Sequence, residues 1–123
     1  MQFNEQTLEK NSNIIKSYTA SSITVVSKKY NYNIIVPPEK SIVKCAINIK
    51  NVNKEFIVEN LTDNTNFVII ASNNTGCLNK TPIISELNNL NIGAEIMNIG
   101  SACSSHNILL AEKRNFLSLF LFD

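Results

Sequence analysis

The residues best equipped for chemistry crowd together near the carboxyl end, where Ser101, Cys103, Ser104, Ser105, His106, Glu112 and Arg114 fall between Gly100 and Asn115. A cysteine close to the start of a helix can be held as a thiolate by the helix dipole and then serve as a nucleophile. The plainer expectation is a buried thiol where that helix meets a sheet. Cys103 and His106 have the i, i+3 spacing of two metal ligands on one helix, but Cys45 and Cys77 stand far away without paired spacing, so no metal site is expected. A general base at His106 would need a nucleophile and an orienting acid, and the sequence supplies neither placement. Glu112 or Glu95 with Arg114 reads equally well as a buried ion pair that fixes the final turn or as a solvated surface pair. With no complete catalytic set, no catalytic residue and no cofactor is assigned, and enzymatic activity is the less favoured reading.

Composition narrows the classes further. A chain of 123 residues with 44% hydrophobic residues makes one domain with a real core. No apolar run approaches the ~18 residues of a membrane-spanning helix. A net charge of +1 and only 17% charged residues lack the basic footprint of a nucleic-acid binder. Arg114 is the single arginine among many lysines, and Asn and Ile are over-used, as in an AT-rich bacterial genome. Three irregularly spaced cysteines and an amino end without a signal core point to reduced thiols in a cytoplasmic protein.

The elements that must position these residues can be read in order. Residues 1–17 form a polar arm, partly disordered or extended, ahead of a single α/β domain over 18–123. Ile23 to Ser27 and Tyr32 to Val36 read as a hairpin turning at Lys28 to Asn31 and ended by Pro37-Pro38. Val43, Cys45, Ile47 and Ile49 alternate with polar partners as a strand with one buried face. Asn51 or Asn53 caps a short helix carrying Phe56, Ile57 and Leu61 on one side. The continuous run Phe67 to Ala71 fits a central strand covered on both faces. Thr81-Pro82 opens a helix running to about Asn91, with Ile83, Leu87 and Leu90 inward and Gly93 at its end. Ala94 to Ile99 is the next strand, parallel to the first through a βαβ unit.

The small residues Gly100 to Ser105 then read as a turn in which one of the serines caps the following helix. Phe116 to Phe122 is the final strand, inserted antiparallel within a mixed sheet. Asn107, an amide on an otherwise apolar helix, is placed to satisfy backbone groups at adjoining strand ends. The loops leaving the carboxyl ends of the two parallel strands would bring Ser72, Asn73, Ser101, Cys103, Ser104 and Ser105 into a candidate ligand pocket, with an anion at the helix start as its simplest occupant.

Glu95, Met97, Ala102, Cys103, Asn107, Leu109, Glu112 and Arg114, at these spacings, resemble the carboxyl-terminal signature of the family that includes mitochondrial complex I assembly factor 3 and the adipogenesis-associated Mth938-domain proteins, with many small bacterial members. The resemblance is dense from Ala94 to Arg114 and extends more weakly through Phe67 to Ala71, while Tyr18, the Tyr32 to Val36 run and Pro37 fit the family's first hairpin. Relatives usually have Gly-Thr-Gly where this chain has Ala71-Ser72-Asn73, a threonine at Ile99, an aromatic at His106 and a glycine at Lys113. The aromatic at the matching position makes His106 a packing residue. The resemblance implies a three-layer domain, with helices packed on a central mixed sheet and an extra β-hairpin layer. It also implies a non-enzymatic assembly or interaction factor whose partners are other proteins, assembly intermediates of respiratory complex I or another membrane complex, met at the inner membrane through a partner. The alternative is a small-molecule or anion-binding protein, or an enzyme, using the serine-rich turn and Cys103. Oligomeric state is left open.

Overall fold

A computed structural model of the chain describes residues 12–78 and 80–123. Its elements run β1 (Ile15–Thr19), β2 (Ser22–Val25), β3 (Lys28–Tyr30), β4 (Ile34–Val36), β5 (Val43–Lys44), α1 (Lys54–Glu59), β6 (Phe67–Ser72), α2 (Lys80–Asn88), β7 (Gly93–Met97), α3 (Ile99–Ala111) and β8 (Phe116–Leu121). Five strands form the central sheet in the order β5-β4-β8-β6-β7, and β1-β2-β3 form a second, antiparallel sheet.

Strict alternation along β8 explains why it sits at the centre. Leu117, Leu119 and Leu121 join Val68 and Ile70 of β6 in a core beneath Ile57 of α1 and Ile83 and Leu87 of α2. Phe116 and Phe120 join Ile69 and Ala71 in a second core, closed by Ala102, Cys103 and Leu110 of α3 and by Ile15, Ile23 and Val25 of the small sheet. A strand with two apolar faces is stable only where both faces are covered. This is the three-layer mixed α/β arrangement expected, with helices on one face and α3 plus the small sheet on the other.

The direction of β8 differs from expectation at one of its borders. It is antiparallel to β4, pairing Ile35 with Leu119, but parallel to β6, pairing Ile70 with Leu119. A helix that runs back along the sheet reverses the chain once, and the short turn after α3 reverses it again, so β8 leaves in the direction of β7. The parallel pairing of β6 with β7 is as expected.

Turn chemistry accounts for the other differences. Lys28-Lys29-Tyr30 is a strand paired with β2, and the turn is Val26-Ser27, with Val26 in the left-handed region at φ 57°. The segment Tyr32 to Val36 therefore leaves the small sheet, and its strand β4 joins the central one. The expected strand over Val43 to Ile49 pairs only at Val43 and Lys44, and its later part turns away at Ile49–Asn51, where the Asn48 side chain accepts from the Lys50 amide. Cys45 and Ile49 still point into the core. The helix α1 is capped by Asn53, whose side chain accepts from the Phe56 amide. α2 ends at Asn88, and Asn91, at φ 63°, closes it with Ile92 N–H donating to Leu87 carbonyl. Gly93 opens β7 instead, where a Cβ would lie 2.8 Å from the Phe67 ring. β1 begins within the expected arm. Residues 1–11 and the side chain of Thr81 lie outside the described residues. No helix among the described residues is long and apolar enough to cross a membrane.

Candidate functional site

Gly100 to Ser105 is the first part of α3, not a turn preceding it. Asn98 is the cap: its side chain accepts from the Ser101 amide at 2.8 Å, and its carbonyl accepts from the Ala102 amide. Asn73 supplies a second acceptor, taking the Ile99 amide at 3.0 Å while its own amide donates to the Ala20 carbonyl at 3.3 Å. Ser72 is buried and accepts from the Asn74 amide at 2.9 Å. The ring of Tyr18 occupies the space where a Cβ on Gly100 would stand. The donors that would greet an anion at the start of α3 are thus largely taken by the protein's own side chains. Ser101 and Ser104 point outward, whereas Cys103 is buried on the opposite side of the helix. Of the six residues expected together, Ser72 and Cys103 are buried, Ser105 is half-buried, and Asn73, Ser101 and Ser104 are exposed.

Burial raises the Cys103 thiol to about 12 and the Cys45 thiol to about 11, so neither forms a thiolate at neutral pH. The side chain of Cys77 is outside the described residues. No group of three His, Cys, Asp or Glu among the described residues is arranged to hold a metal.

His106 is fully buried between the rings of Phe116 and Phe120. Its Nε2 lies 2.8 Å from the Asn13 carbonyl and its Nδ1 2.7 Å from Ser118 Oγ. A carbonyl can only accept, so Nε2 carries the proton and Nδ1 accepts from the Ser118 hydroxyl. Desolvation outweighs the backbone hydrogen bond and brings the imidazole down to about 4, which keeps it neutral. It packs and bonds as a structural residue.

Asn107 brackets the peptide groups of Ile15, accepting from its amide at 2.9 Å and donating to its carbonyl at 2.8 Å. Glu112 and Arg114 meet at 3.6 Å with about half of each side chain exposed, so theirs is the solvated pair. Glu95 is exposed on β7, at the edge of the sheet. Ala102 is fully buried, and Met97 and Leu109 pack against the same core. Lys113 stands at φ 57° with its amide donating to Leu110 carbonyl and the Arg114 amide to Leu109 carbonyl. That is the left-handed closing position of a helix, where glycine is the low-strain residue.

Asn13, in a polar stretch with no motif around it, plays a part that no sequence pattern marks. Its amide donates to Pro38 carbonyl, and its side chain donates to the carbonyls of Pro37 at 2.8 Å and Lys40 at 2.7 Å. It fixes one wall of a cleft of about 510 Å³ at the amino ends of β6 and β8, opposite the expected pocket. The Thr62 to Thr65 loop, closed by a 2.8 Å contact between its two hydroxyls, forms another wall, and the end of α3 the third. No single residue type marks such a cleft, because proline carbonyls and a distant asparagine build it together.

The chain matches, over residues 15–121, the family described as a protein of unknown function, DUF498/DUF598. A crystal structure of a Bordetella parapertussis protein is similar with a TM-score of 0.79 and 18% identity, covering 93% of this chain and 98% of that one. A solution structure of a Bordetella pertussis protein described as a Mth938-like domain has a TM-score of 0.75 and 16% identity, covering 100% and 93%. A Xanthomonas campestris protein structure gives 0.75 and 14%, covering 88% and 83%. No curated protein matches the chain. With most of its length matched and the fold shared, the chain belongs to the DUF498/DUF598 family and has the Mth938-like fold.

Proposed function

We propose that the protein is a non-enzymatic interaction factor for the assembly of a membrane complex, with respiratory complex I the first to test. The observation that carries this reading is the engagement of the reactive-looking side chains within the fold. Cys103 is buried with its thiol raised to about 12, and both nitrogens of His106 are hydrogen bonded. Asn73 and Asn98 cover the start of α3. The resemblance to complex I assembly factor 3 supplies the choice of complex, and a cytoplasmic place beside the inner membrane follows from that role. Exposed apolar side chains such as Ile108, Tyr18 and Leu90 offer surface for a protein partner.

The test is deletion of the gene in a host that makes complex I, followed by native electrophoresis and recovery of the tagged protein with its partners. Loss of the assembled complex, with subassemblies bound to the protein, is expected. Normal complex levels together with a partner-free protein would overturn the reading.

A further inference from the structure

The cleft at the amino ends of β6 and β8 has features the assembly reading does not use. Its base includes Leu110, Phe116 and Leu117, buried apolar residues of α3 and β8. Around it stand charged side chains of both signs: Glu39 and Lys40 beside Pro38, Asp63 on the loop, and Lys113 and Arg114 at the end of α3. Arg114 turns to Glu112, and none of the other four is in an ion pair with a described residue. A mixed set of charges that do not neutralise one another leaves both signs available to a ligand.

The walls are fixed beforehand. Asn13 holds Pro37 to Lys40 through three hydrogen bonds, the Asn66 amide donates to Asn115 carbonyl, and the helix end is closed by the Lys113 and Arg114 amides. The volume falls within the roughly 300–1,000 Å³ usual for small-molecule sites.

We propose that this cleft binds a small zwitterion of the amino-acid class, with its carboxylate towards Lys113 and Arg114, its ammonium towards Asp63 and Glu39, and a compact apolar body over Leu110 and Phe116. A simple anion would leave Glu39 and Asp63 unanswered, and a simple amine would leave Lys113 unanswered. This stands apart from the assembly reading, and either can fail without the other.

The experiment is a nuclear magnetic resonance titration of the full chain with L-leucine, compared with isocaproate and isoamylamine, which carry one charge each. Leucine is expected to produce saturable shifts at Lys40, Asp63 and Lys113 to Leu117, with weaker effects from the other two. Lys113→Gly, which relieves the left-handed strain, and Asp63→Asn should each weaken leucine binding about two- to fivefold while the spectrum stays folded. Absence of saturable shifts, equal binding of isocaproate or isoamylamine, or unchanged affinity in both variants would overturn the proposal.

Discussion

The side-chain amide of Asn107 holds both backbone polar atoms of Ile15, at 2.9 Å to its nitrogen and 2.8 Å to its oxygen. β1 lies at the edge of the small sheet, and Asn107 stands where a neighbouring strand would. The α3 helix thereby joins the small sheet to the central one by hydrogen bonds as well as by the core around Ile15 and Ala102. Replacing Asn107 with Ala leaves a partly buried N–H and C=O without partners. We expect a loss of about 2–3 kcal/mol in urea unfolding, with hydrogen exchange at the Ile15 amide accelerated more than that at the β6 amides.

His106 sets an acid dependence whose sign follows from its environment. The unfolded chain takes up a proton near 6.5, whereas the folded chain holds the ring neutral down to about 4. Above 6.5 neither state is protonated and this contribution to stability is fully present. As the pH falls from 6.5 to about 4, the unfolded state alone gains the proton, and the folding equilibrium constant should drop by up to roughly tenfold per pH unit. His106→Phe should lower stability overall, because Ser118 and the Asn13 carbonyl lose their partner, yet it should flatten that part of the curve. Urea unfolding across this pH range in both chains measures the difference.

Two left-handed residues are expected to respond to glycine in the same direction. Val26 and Lys113 both have φ 57°, and Val26 is β-branched, the type that tolerates this region least. Val26→Gly and Lys113→Gly should each stabilise the chain by about 1 kcal/mol, read as a shift of the urea midpoint. Asn91, at φ 63°, already has a side chain suited to that region, so Asn91→Gly should gain less.

Much of this architecture was legible because the apolar patterns are unambiguous. The nearly unbroken apolar runs Phe116 to Phe122 and Phe67 to Ala71 mark strands covered on both faces, and Asn107 stands out as an amide on an apolar helix. Val26-Ser27 was not legible as a turn, since neither residue favours one, while Lys-Lys-Tyr-Asn looked like one by polarity. The start of α3 is not legible from its serines, which favour cap positions, because Asn98 immediately before Ile99 caps the helix. At the carboxyl ends of the parallel strands, strand order alone does not say which side chains meet the start of α3. Asn73 reaches into that space, and no pattern in the sequence announces where a loop asparagine turns. The cleft at the other end depends on Asn13 meeting Pro37 and Lys40 across a long span of chain.

The central claim is that the reactive-looking residues of α3 act through the fold, and the most direct test is the alkylation rate of Cys103 in the native chain. Mass mapping of iodoacetamide labelling at neutral pH separates Cys103 from Cys45 and Cys77. With its thiol buried and raised to about 12, Cys103 should label only as the chain unfolds, at a rate that rises with urea and falls in stabilised variants. Rapid labelling of Cys103 in the folded protein, insensitive to stability, would contradict the claim.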